Sequence, residues 1–386
     1  MILSEPWSKK HKAVTKGTPF SLSNSFAEPL SNAELIARSL ARGDQGLVDD
    51  YQNHALVYTE SGGSSDLREE IAKLYGPNIG AENIVVFPGG QVALQIAAFA
   101  LLDDSSHAIA FSPGYQSVQA APRHAGARVT TIPLRPETGW RINPAEVEAA
   151  IQPNTKYLAL NEPYNPTGTL MSAETQIQLR DIARKHGLYI LSDEVYRLLE
   201  HDAKDRLPAM ADLYEKGLSV VTMSKPWGAC GLTIGWLAFQ DTQLRQTFID
   251  AQYFGTACIG RASELQAIMV LRASNDILEK NMKIIRRNMA LLDDFMGKYS
   301  DLFDWVRPRA GAVAFVNFKG PLSSEQLGNE LAKAGISIKP AYVFGEDTSW
   351  YRDYFRIGYG EEIMPKALEA LIDFVETHKD EWRANL

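Results

Sequence analysis

The sequence predicts an α/β fold: a mostly parallel sheet between helices, followed by a smaller α+β region. Three observations carry this expectation. Short β-rich apolar runs alternate with amphipathic stretches from about residue 80 onward. Polar residues able to do chemistry stand just after those runs, where open sheets of this class bind ligands. After about residue 290 the texture changes to isolated strands between helices.

The first element is "NIVVFPGG" (83–90), a strand ending in paired glycines, and "QVALQIAAFALL" (91–102) follows it as a buried helix. "HAIAFSP", "RVTTIPL", "KYLALNEP", "LYILSDE" and "LSVVTMS" then repeat the short β-rich pattern. Between the third and fourth of these lies "SAETQIQLRDIARKHG" (172–187), helical in its apolar spacing, with Gly187 suited to a C-cap. Strands separated by helices need crossover connections, and these produce a parallel sheet covered on both faces. "NDILEKNMKIIRRNMALLDDFMGKY" (275–299) reads as a long connecting helix, and "AVAFVNF", "ISIKP" and "YFRIGYG" as strands of the smaller region.

A chain of 386 residues exceeds one ordinary core, and 45% apolar with 22% charged residues is an ordinary globular composition. A net charge of −8 leaves no basic footprint, so nucleic acid is not an expected partner. Cys230 and Cys258 are the only cysteines, and no Cys/His cluster has zinc spacing; neither a disulfide framework nor a metal is expected. The opening "MILSEPWSKKHKAV" lacks the apolar core of a secretion signal, and no apolar run reaches the roughly 18 residues of a membrane helix. The expected location is the cytoplasm.

Four motifs concentrate the chemistry: "NEPYNPTG" (161–168), "SDEVY" (192–196), "MSKPWG" (223–228) and "FRIG" (355–358). In this order and at these spacings the chain resembles the class I/II aminotransferase family, which are fold-type I pyridoxal-phosphate enzymes, over nearly its whole length. The resemblance implies a large cofactor-binding domain over 45–285 with a seven-stranded, mostly parallel sheet. Residues 1–44 and 286–386 would form a small domain with an N-terminal lid segment. It also implies pyridoxal 5′-phosphate as cofactor, an amino acid as substrate, and a homodimer with shared active sites.

Residue roles follow from the same resemblance. Lys225 would carry the Schiff base to the cofactor aldehyde and shuttle the Cα proton. That task needs a pocket that lowers the lysine pKa, whereas an ordinary lysine is a solvated surface group. Asp193 would stand beside the pyridine nitrogen, which keeps its proton next to an anion; a helix N-cap is the other reading. Tyr196 and Asn165 would offer a hydroxyl and an amide to the phenolic oxygen. Gly90, Gln91, Thr222 and Ser224 would hold the phosphate at a helix N-terminus, although such glycines also suit a plain tight turn. Tyr115 would stack on the pyridine or simply pack. Tyr58 would reach the phosphate of the neighbouring subunit. Arg356 and Asn165 fall to the substrate, with Arg356 as a bidentate clamp on the α-carboxylate or, alternatively, in a surface salt bridge.

The chain departs from the family pattern in two places. Thr233, in "GLTIGW", stands eight residues after Lys225 where the family has an arginine paired with the phosphate. A charge-assisted contact of that kind is worth about 1.5 to 3 kcal/mol. Arg261 is the candidate to restore the cation from the neighbouring chain, and an i,i+3 pair with Glu264 is its other reading. The lead-in "FSLSNSFAEPL" (20–30) has Ala27 at a family glycine. With "PLRPETGWRINPAEVEAAI" it gives a weaker resemblance to capreomycidine-synthase-like enzymes, which use the same cofactor to eliminate and cyclise hydroxylated arginines. The expected activity is that of an aminotransferase acting at Cα, with a lyase, cyclase or oxidase of a basic amino acid as the alternative. Glu5 and Glu28 are candidate acceptors for a cationic side chain.

Overall fold

The computed structural model describes residues 5–386. A two-residue strand, β1 (Phe20–Ser21), precedes seven that share one sheet: β2 (Ile84–Phe87), β3 (His107–Ser112), β4 (Arg128–Pro133), β5 (Thr155–Asn161), β6 (Tyr189–Asp193), β7 (Gly217–Thr222) and β8 (Gly235–Phe239). The order across the sheet is β2-β8-β7-β6-β5-β3-β4. From β4 to β7 all pairs are parallel, and β8 runs antiparallel to both β2 and β7. Strands β2, β3, β7 and β8 are buried at every residue. Covering on both faces explains why they read as continuous apolar runs and not as alternating ones.

Five strands follow: β9 (Phe303–Trp305), β10 (Val313–Phe318), β11 (Ile336–Ser337), β12 (Lys339–Pro340) and β13 (Tyr354–Gly358). Four of them form an antiparallel sheet of order β12-β13-β10-β9, while β11 pairs in parallel with β1. The expected connecting helix spans Ser274–Lys298. Its Ile277 packs with Trp227 and Trp236 beside the large sheet, and its Ile285 and Leu292 pack against the smaller one. One apolar stripe therefore serves two cores, which fixes the two sheets relative to the helix.

The lead-in runs between the two sheets. Ala27 N donates to Lys225 O at 3.1 Å, and Gly358 N donates to Leu22 O at 2.7 Å. A Cβ at Gly358, Gly360 or Gly228 would strike the carbonyls of Asn24, Phe26 and Glu28 respectively, so those positions admit only glycine at this approach. No described helix is long and apolar enough to cross a membrane.

Candidate active site

The large sheet delivers its polar residues at the carboxyl ends of parallel strands. Asn161 closes β5 and lies opposite Asp193, which closes β6; Thr222 closes β7 opposite Gly235. The loop after β7 carries Lys225 and is held from behind. Trp227 Nε1 donates to Ser274 Oγ at 2.7 Å and Asn281 Nδ2 donates to Pro226 O at 2.9 Å, both anchored on the connecting helix.

Lys225 Nζ donates to Ser25 Oγ of the lead-in at 3.0 Å. Burial, reinforced by the Arg356 charge and opposed by Cys230 and Asp193, pushes its pKa down to about 8. Lys225 is partly covered and hydrogen-bonded, unlike a solvated surface lysine. Asp193 is almost wholly buried, and its carboxylate meets only Val195 N, at 3.3 Å. Burial pushes its carboxyl up to about 7, against that bond and the Lys225 charge. The long Val195 contact leaves most of the carboxylate's acceptor capacity unused.

Tyr196 is buried, and its hydroxyl has no well-formed hydrogen bond, only a loose approach to Ser25. Arg356 is 2% exposed and has no carboxylate partner, which removes the surface salt bridge. Its Nη1 donates to Asn165 Oδ1 at 3.0 Å and its Nη2 to Ser23 O at 2.8 Å, while Nε stays unpartnered. Asn165 is itself positioned by Asn161 Oδ1, which accepts its backbone N–H at 2.7 Å.

Gly89, at φ 98, turns the chain into the helix Gly90–Leu101, and Gly235 leaves no room for a Cβ against Gly90. The free N–H groups of that helix start beside Thr222, whose Oγ1 lies 3.2 Å from Ser224 Oγ. Gln91 Nε2 donates to Tyr115 Oη at 2.6 Å and joins this corner to the start of the helix Gln116–His124. Thr233 is exposed at φ 54, close to Gly89.

Two of the expected residues lie elsewhere. Tyr58 is 89% exposed and, with Val57, Arg261 and Glu264, lines an open concavity of about 530 Å³ that does not include Lys225. Arg261 makes the ion pair with Glu264 at 3.2 Å and a closer one with Asp66 at 2.7 Å. Among the described residues, no hydrogen bond or ion pair joins Tyr58 or Arg261 to Lys225. Of the two lead-in acids, Glu5 forms an exposed pair with Lys9, and Glu28 accepts from Glu362 N at 2.6 Å. Sequence reasoning missed Ser25 and Asn161. Asn161 opens the motif "NEPYNPTG", and its place at a strand end was the available signal.

The residues present fit pyridoxal phosphate. Asp193 is a buried anion without a cation at bonding distance, Tyr196 has an idle hydroxyl, and the Gly89–Gly90 turn offers an anion cradle beside two hydroxyls. Fold and site together define a fold-type I pyridoxal-phosphate enzyme. Residues 45–372 match the family Aminotransferase class I and II, and the chain belongs to that family. It is similar to arginine–pyruvate transaminase AruH of Pseudomonas aeruginosa, with 30% identity over 78% of each chain. Capreomycidine synthase of Streptomyces vinaceus is 25% identical over 82% of this chain and 80% of that one. A pyridoxal-phosphate-dependent aminotransferase from Streptococcus suis superposes with a TM-score of 0.90 at 27% identity, covering 98% of this chain and 99% of that one.

Proposed function

We propose that this protein is an aminotransferase that moves the amino group of an α-amino acid to a keto acid, with Lys225 as its catalytic base. The observation that carries the reading is the burial of one amine, Lys225, within the fields of both Arg356 and Asp193. When bound, pyridoxal phosphate supplies an aldehyde that joins an amine and a ring that draws electrons from Cα. The chain's own residues do the rest. Arg356 and Asn165 hold the α-carboxylate, which fixes Cα in place. Lys225, with its pKa near the working range, takes the Cα proton and returns it. Asp193 would accept a hydrogen bond from a protonated ring nitrogen, and Tyr196 would donate to an oxygen on the ring. Gly90, Gln91, Thr222 and Ser224 would hold the phosphate, and Tyr115 would stack on the ring.

Homodimerisation and a shared site belong to the same proposal. The exposed apolar run Leu56, Val57 and Tyr58 supports it, as does Phe254 at 94% exposure. Thr59 Oγ1 and Ser61 Oγ tie the segment after the first patch to Ile259 and Ala257, so the two patches neighbour each other. On this reading Tyr58 and Arg261 serve the partner's phosphate, the division at 45–285 separates the two domains, and the protein works in the cytoplasm. The alternative, elimination, cyclisation or oxidation of a basic amino acid, draws on the likeness to capreomycidine synthase. An amino acid panel assayed with and without a keto acid separates the two. Product that forms only with keto acid supports transfer, and product independent of keto acid overturns it.

A further inference from the structure

Lys339 has no role in the site described so far. It sits on β12 directly opposite Arg356 on β13 in an antiparallel pair. Residues directly opposite in such a pair project to the same face, with Cα atoms about 4.5 to 5.5 Å apart. Lys339 therefore shares a face with the arginine whose guanidinium reaches Asn165.

Every charge that acts on this buried amine is cationic. Burial and then the charges of Arg356, Lys225 and Lys12 push its pKa down to about 6, and no carboxylate acts on it. Among the described residues, Lys339 Nζ has neither an ion pair nor a side-chain hydrogen bond. His11 lies in the same place, 4% exposed, with Nε2 unpartnered and with the charges of Lys339 and Arg356 both acting on it. The carboxylates along the lead-in are already engaged: Glu361 accepts from Asn24 Nδ2 at 2.7 Å, and Glu28 accepts from the Glu362 backbone. With its pKa near 6 the buried amine gives up its proton at neutral pH, and an anion beside it would restore the charged form. Arg356 accounts for one anion, the α-carboxylate. Lys339 Nζ and His11 Nε2 are two further buried nitrogens without partners, able to take up a proton and donate to a second.

Resting on the aminotransferase reading, we propose that Lys339, with His11 beside it, binds a second carboxylate on the substrate. The amino donor or the keto acid is then a short dicarboxylic acid. A guanidinium side chain is disfavoured at this place, because its charge would add to those of Arg356 and Lys225 with no carboxylate to receive it.

The holoenzyme tests this in two ways. Calorimetric titration with glutarate, succinate and the monoanionic control butyrate compares the binding of two carboxylates with one. Half-reaction rates with glutamate, aspartate, norvaline and arginine compare substrates. Wild type is expected to bind a dicarboxylate at least about tenfold more tightly than butyrate. Lys339→Met is expected to cut that ratio, and the glutamate-to-norvaline ratio of kcat/KM, about tenfold, and Lys339→Arg to keep both within about threefold. Equal binding of glutarate and butyrate by wild type overturns the proposal without any variant. So does a Lys339→Met loss shared equally by both ligands, or arginine as the preferred substrate. If no amino acid transfers its amino group, the aminotransferase reading falls, while the glutarate-to-butyrate ratio still decides for or against Lys339.

Discussion

Arg356 Nη1 donates to Asn165 Oδ1 at 3.0 Å, joining the middle of β13 in the smaller sheet to the loop after β5 in the larger one. The bond positions the guanidinium before any substrate arrives. Asn165→Ala therefore leaves a buried arginine short of one acceptor and free to swing. Arg356→Ala removes the clamp itself, a loss on the order of 2 to 5 kcal/mol for a buried charge-assisted pair. Steady-state assays are expected to show the substrate KM rising far more than the cofactor dissociation constant. An unchanged KM would take Arg356 out of the substrate site.

The Lys225 amine is neutral only above its pKa, which burial and Arg356 set at about 8. A neutral amine is the form that attacks an aldehyde. Uptake of pyridoxal phosphate by the cofactor-free protein should therefore quicken as pH rises toward about 8 and level off above it. Lys225→Ala should abolish the yellow band. A rate that keeps climbing toward pH 10 would mean that the amine titrates like an exposed lysine.

Asp193 has a sharper signature in the cofactor-free protein. Its folded pKa of about 7 lies above the ordinary value, so between roughly pH 4 and 7 the folded state holds a proton that the unfolded state releases. Its contribution is therefore full below pH 4 and lost by pH 7. Asp193→Asn is expected to raise stability at pH 8 by about 2 to 4 kcal/mol, with the gain shrinking as pH falls to 5. With cofactor restored, the same variant should exchange the Cα proton more than about a hundredfold more slowly. A variant no more stable than wild type at pH 8 would show that the carboxylate is not desolvated.

Thr233 is a β-branched residue at φ 54 near Gly89, a backbone region that such side chains occupy at a cost. Thr233→Arg would place a cation beside the cradle and is expected to tighten pyridoxal-phosphate binding about tenfold, or 1.4 kcal/mol. Arg261→Ala, measured alongside, decides whether the missing charge has moved. A weakening of similar size assigns it to Arg261, and an unchanged constant leaves that arginine to Asp66 and Glu264.

The parts of this molecule written in local patterns were legible in its sequence. The runs that became β2, β3, β5, β6 and β7 end at the polar residues picked out in the sequence, because burial on both faces makes such strands largely apolar and moves polar residues to their ends. The direction of β8 was not legible: "GWLAF" is buried at every position, and a continuous apolar run does not say which way it pairs. Lys339 was invisible for another reason. In "ISIKP" it is one lysine among many, and only the long-range pairing of β12 with β13 sets it opposite Arg356. Ser25 likewise gains meaning only once the lead-in lies across the Lys225 loop.

The lead-in that crosses between the sheets is fastened by main-chain atoms: Ala27 N to Lys225 O, Gly358 N to Leu22 O, and Arg356 to Ser23 O, with glycines 228, 358 and 360 making room for its carbonyls. Its course is thereby set by the backbone, while the side chains of Asn24 and Ser25 reach Glu361 and Lys225. Exchanging Ser23 or Ser25 of "SLSNS" would alter what faces Arg356 and Lys225 while these main-chain bonds stay in place. A ribbon held by its backbone allows the surroundings of the two site residues to change while the strand ends that carry the chemistry stay where they are.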